Sequence, residues 1–164
     1  MSTLYVDTIT EKTVGSGVQI ADLVPAAGSV VQVVEGSNTA STSTSADAYT
    51  SSGLSASITP SSTSSKILVF ANFVGQTAVS DGRLSTTIYR DSTNLGTGAH
   101  SGIGYSHAPS GTHLGMVPML ILDAPNSASS ITYTVYFKSG AAVGAVNIRN
   151  DVNTGKITLM EIAQ

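Results

Sequence analysis

ITYTVYFKS, residues 131 to 139, is the stretch that decides the fold. Ile131, Tyr133, Val135 and Phe137 occupy every second position, and Thr132, Thr134, Tyr136 and Lys138 fall between them. Successive side chains of an extended strand point to opposite faces, so this order makes one apolar face and one hydroxyl-rich face. β-branched and aromatic residues also suit a pleated, half-buried surface. The stretch predicts a strand that lies on a core and turns its other face to water.

The same reading extends in both directions along the chain. GLSASITP (53–60) puts Leu54, Ala56 and Ile58 on one face and serines on the other, and RLSTTIYRD (83–91) puts Leu84, Thr86 and Ile88 together. SVVQVVEG (29–36), AVGAVNIRN (142–150) and KITLMEIA (156–163) are further β-branched runs. KILVFANFVG (66–75) is apolar on both faces and reads as a central strand. LGMVPMLILD (114–123) is equally apolar, but Pro118 has no N–H for a ladder and places it at an edge or a bulge. Turn chemistry separates these runs at Pro60-Ser61-Ser62, Asp81-Gly82, Asp91-Ser92-Thr93-Asn94, Pro125-Asn126-Ser127 and Asn153-Thr154-Gly155. No window carries a capped helical stripe. About eight strands from residue 29 onward predict an all-β, antiparallel β-sandwich of jelly-roll type. Leu68, Phe70, Val135, Phe137 and Leu159 are its expected core positions.

Two segments fall outside this pattern. Residues 1–28 hold one short strand candidate (LYVDTI, 4–9), a Gly15-Ser16-Gly17 turn and a Pro25-Ala26-Ala27-Gly28 junction. Their apolar residues, among them Leu4, Val6, Ile9, Val18 and Ile20, are too few to form a core alone. The segment therefore reads as an arm for attachment or trimerisation, ahead of a head domain at 29–164. The polar stretch 38–53 reads as a surface loop or an irregular edge strand.

Composition narrows the function. Of 164 residues only 10% are charged, against about 25% in an average domain, while 41% are hydrophobic and 45 are serine or threonine. That hydrophobic share argues against disorder. Seven basic and ten acidic residues give a net charge of −3, the wrong sign for a nucleic-acid partner. The chain has no cysteine, which excludes disulfides, zinc–thiolate sites and cysteine nucleophiles. No apolar run approaches the roughly 20 residues of a membrane span, and residues from Met1 onward lack the basic start and apolar stretch expected of a signal peptide.

The chemistry-bearing residues are sparse. His100, His107 and His113 share one glycine-rich stretch, but their spacings of seven and six suit neither a helix face nor a paired-strand metal site. The glycines between 96 and 111 lack the lysine and following helix of a phosphate loop. No G-x-S-x-G elbow is present, and the glutamates Glu11, Glu35 and Glu161 lie near segment ends. No catalysis, metal or cofactor is expected. The stretch Gly96–His113 reads as a long loop on a rigid scaffold, where binding residues concentrate. Its histidines and Tyr105 are the expected binding groups, suited to stacking on a sugar or filling a partner's groove.

MSTLYVDTITEKTVGSGVQI (1–20) resembles the opening of short structural proteins of tailed bacteriophages, especially marine and cyanobacterial ones, in its L-x-V-D-T-I-x-E-K-T segment and following G-V-x-I. ITPSSTSSKILV (58–69), LDAPNSASSITYTVYFKS (122–139) and ITLMEIA (157–163) resemble the head domains of phage tail-fibre-like proteins. The resemblance implies a virion protein assembled in the host cytoplasm, a homotrimer with an intertwined arm and a β-sandwich head. Other virion proteins and a host surface glycan or receptor are the implied partners. A short tail fibre or receptor-binding protein is the leading expectation, because no extended shaft is present. A capsid decoration protein and a stand-alone carbohydrate-binding or C1q/TNF-like module are the alternatives.

Overall fold

The computed structural model describes residues 25–96, 102–140 and 143–164. Among them are eleven strands and no α-helix: β1 (Val30–Asn38), β2 (Thr42–Thr44), β3 (Thr50–Ile58), β4 (Lys66–Thr77), β5 (Gly82–Arg90), β6 (Thr93–Asn94), β7 (Gly104–Ala108), β8 (His113–Asp123), β9 (Ile131–Ser139), β10 (Val146–Ile148) and β11 (Gly155–Ile162). All eight strands expected from residue 29 onward are present. The additional ones, β2, β6 and β7, are short, and β2 makes part of the polar 38–53 stretch an edge strand.

The strands form two antiparallel sheets. A six-stranded sheet runs β1-β11-β4-β10-β2, with β8 on the other side of β4, and a five-stranded sheet runs β3-β9-β5-β6, with β7 also on β5. β4 is central, as its two apolar faces imply, and β8, which carries Pro118, borders the sheet. The sheets pack face to face as a β-sandwich. Leu54 and Ile58 of β3 share one core with Ile67, Val69 and Phe73 of β4, Leu84 and Ile88 of β5, Val135 and Phe137 of β9, and Leu159 of β11. The alternation of ITYTVYFKS is realised in full: Ile131, Tyr133, Val135 and Phe137 are buried and their neighbours half-buried.

One expectation is corrected. Phe70 is 42% exposed and Leu68 only half-buried. In β4 the inward parity belongs to Ile67, Val69, Ala71 and Phe73, which turns Leu68 and Phe70 to the outer face. A run that is apolar at both parities fits either assignment, and the register with β11 and β8 decides it.

Polar ties lock the layers together. Glu161 of β11 is fully buried, yet four donors reach its carboxylate: Gln32 Nε2 at 2.6 Å, Ser61 N at 2.8 Å, Ser61 Oγ at 2.6 Å and Ser65 Oγ at 2.7 Å. Burial alone would raise its pKa. The bonds from Ser61, Gln32 and Ser65 outweigh that effect and hold the carboxyl down at about 2. This cluster joins the SSTSSK turn to the LMEI strand. At another point Asp123 of β8 accepts from Tyr133 Oη at 2.7 Å and from Arg90 Nη1 at 3.0 Å, bridging the two sheets. Burial, and then the bond to Asp123, raises the Tyr133 phenol well above its usual range. Gly36 of β1 marks a close approach of the layers: a Cβ there would stand 2.0 Å from the backbone oxygen of Ser55.

Candidate interaction surfaces

The binding groups expected between Gly96 and His113 do not lie on one long loop. Gly104–Ala108 is β7, which pairs with β5 from Gly82 to Thr86, and His113 opens β8 opposite Thr77. Strong glycine content had masked the strand. Tyr105 and His107 share one face of β7, with ring centres 6.5 Å apart. His107 Nε2 lies 2.8 Å from Asp81 Oδ1, and Arg83 Nη2 donates to the same carboxylate at 3.1 Å. The bond with His107, then that with Arg83, lowers the Asp81 pKa. His113 belongs to the other sheet, its Nε2 close to the Gly115 backbone. His100, like the arm residues Leu4, Val6, Ile9, Val18 and Ile20, lies outside the described residues. Among the described residues no three His, Cys, Asp or Glu side chains group as metal ligands would.

Strand pairing builds a larger surface around Tyr105 and His107. On the outer face of the five-stranded sheet, Ser55, Thr134, Tyr89 and Asn94 follow one another across β3, β9, β5 and β6. The next row holds Ser51, Tyr136 and Thr87, and the row beyond it holds Lys138, Ser85 and Tyr105. Tyr89 and Tyr136 stack with centroids 4.1 Å apart, and Tyr49 meets Tyr89 edge-on at 6.2 Å. Lys138 Nζ sits 5.2 Å from the Tyr49 ring and 2.8 Å from Asp47. Burial, followed by the nearby Tyr89 and Asp47, pushes the Tyr49 phenol up to about 12, so it stays a neutral hydroxyl. Ser85 and Thr87 are buried beneath this face, which carries the half-buried rings of Tyr49, Tyr89 and Tyr136 and the exposed ring of Tyr105, with the exposed serines Ser51 and Ser55 beside them. Such groups offer apolar ring faces for stacking and polar tips for hydrogen bonding.

Sequence reasoning missed Tyr49, Tyr89 and Tyr136 as a group. Its own alternation already turned Tyr89 and Tyr136 outward. What it lacked was the pairing of β5 with β9, which makes them neighbours.

The outer face of the six-stranded sheet is the opposite in character. One row across it reads Val33, Met160, Leu68, Leu122, and the next reads Glu35, Thr158, Phe70, Leu120. Farther along β8 stand Pro118, Met116 and Leu114, all exposed. The charged neighbours Glu35 and Lys156 neutralise one another in an exposed ion pair. As an exposed surface this face is not legible from the sequence: Leu68 and Phe70 read as core there, because β4 is apolar at both parities.

Comparison with family models and with curated protein sequences finds no match for the chain. Among the described residues no helix is long and apolar enough to cross a membrane.

Proposed function

We propose that this chain is a structural protein of a tailed-bacteriophage virion, of the short tail-fibre or receptor-binding type. It assembles as a homotrimer in the host cytoplasm, attaches through residues 1–28, and presents the sandwich at the particle surface for host recognition. The observation that carries this reading is the unlike character of the two outer faces. One is broad and apolar, which suits assembly; the other is lined with tyrosines and hydroxyls, which suits contact with a hydrated, glycan-rich surface.

The strand order supports it. The eight longer strands lie as β1-β11-β4-β8 and β3-β9-β5-β7, the arrangement of a jelly roll, which recurs in viral capsid and lectin domains. Fold alone does not fix function, so the weight rests on the faces. The resemblance of residues 1–20 to phage structural proteins supplies the virion context.

Quantitative mass spectrometry of purified particles from the source phage tests the proposal. The chain is expected in the particle at a few dozen copies or fewer. Its absence from particles would refute the reading, and hundreds of copies would move it to the capsid surface as a decoration protein.

A further inference from the structure

We propose that the outer face of the six-stranded sheet is the surface through which copies of this chain bind one another. The inference rests on the homo-oligomeric reading above and adds to it the contact itself, located in the head.

The face has the size and chemistry of an interface. Val33, Phe70, Leu114, Met116, Leu120 and Leu122 each keep between 42% and 61% of their area exposed. At about 200 Å² for a free side chain of this kind, those six leave on the order of 600 Å² of apolar surface on one face. That is as large as the largest patch on an ordinary monomer, and near the roughly 800 Å² each partner gives to a stable interface. Half-buried Leu68, Met160 and Ile162 fill the spaces between them.

A second copy is the occupant the face fits. Its rows carry little charge that would select a charged partner: Glu35 and Lys156 pair with each other, and the half-buried Lys66, opposite Ile162, stands at the border of the apolar rows. Around a three-fold axis the contact is heterologous, one part of the patch meeting a different part of the next copy, and a broad surface of low charge serves both halves of that contact. The opposite face carries tyrosine rings, Lys138 and the exposed serines Ser51, Ser55 and Ser57. The described chain also begins at this border: Gly28 N donates to Ala163 O at 2.8 Å, and Ser29 O accepts from Ala163 N at 3.0 Å, beside the start of β1. The chain's own N-terminal segment, residues 1–24, is the competing occupant.

The full-length protein tests both. Light scattering after size exclusion should give the parent a mass that is a multiple of 16.6 kDa, and the Leu120→Glu/Leu122→Glu variant a mass of 16.6 kDa with an unchanged far-UV spectrum. A second measurement guards against a misfolded variant. The chain has no cysteine, so Leu120→Cys and Ser57→Cys each introduce a single thiol, one on each outer face. A short bis-thiol cross-linker should join chains through position 120 and leave position 57 uncrosslinked. An oligomeric double-glutamate variant with cross-linking at 57 would overturn the assignment of this face while leaving the homo-oligomer standing. A monomeric parent whose thiol at 120 is protected from reagent would show the N-terminal segment as occupant and overturn the proposal. A monomeric parent with that thiol fully reactive would overturn the oligomeric reading as well.

Discussion

Glu161→Gln probes the buried tie between the SSTSSK turn and the last strand. In the parent, Oε1 accepts from Ser61 N, Ser61 Oγ and Ser65 Oγ, and Oε2 accepts from Gln32 Nε2. A glutamine can keep one oxygen toward the serines, but its amide nitrogen then faces the Gln32 nitrogen, donor against donor. Losing one charge-assisted bond and weakening three others should destabilise the fold by about 2–3 kcal/mol at pH 7. The pH dependence gives a second magnitude. The carboxyl is held at about 2 against an ordinary 4.5. A folded-state pKa below the unfolded one contributes stability that is complete above 4.5 and is lost as pH falls through 2. The full shift corresponds to at most roughly 3 kcal/mol, and solvent just beyond the exposed serine turn reduces this to about 1–2 kcal/mol. Urea unfolding of parent and variant at pH 7, 4.5, 3 and 2.5 measures both terms. The stability gap should be widest at pH 7 and narrow below pH 4.5. A variant within about 0.5 kcal/mol of the parent at pH 7, with parallel curves at lower pH, would refute the reasoning.

Phe137→Ala should cost about 3–5 kcal/mol in urea unfolding, because its ring is fully enclosed. Phe70→Ala should cost far less in the isolated chain, about 1 kcal/mol, and equal losses would place Phe70 in the core after all. Gly36→Ala should destabilise by more than about 3 kcal/mol, since the Cβ would meet backbone and not a yielding side chain; near-parent stability would mean the two sheets are farther apart here. Replacing Tyr89 and Tyr136 together with serine should reduce adsorption of particles to host cells with assembly intact, and unchanged adsorption would move recognition off the five-stranded sheet.

Much of the fold is legible in the sequence, for local reasons. Alternation alone fixes the inward residues of β3, β5 and β9. The quoted turns at Asp81, Asp91 and Asn126 each hold a residue at positive φ, of 58°, 50° and 52°, a conformation that Asp and Asn accept more readily than most. What fails is whatever depends on partners distant in the chain. Glu161 reads as an unremarked strand-end residue until Ser61 and Gln32 arrive from 100 and 129 positions away. Phe70 reads as core because β4 is apolar at both parities. β7 disappears into a glycine-rich stretch because five residues with two small side chains give too short an alternation. The two outer faces are a property of strand order. The residues that compose them are visible in the sequence, but their adjacency is not.

A density map of the assembled particle tests the central claim most directly. It should show copies of the sandwich around a three-fold axis, with the rows of Phe70, Leu120 and Leu122 turned toward neighbouring copies and the Tyr89–Tyr136 face outward. Isolated single copies, or an arrangement with the tyrosine face sealed between copies and the apolar rows facing solvent, would contradict it.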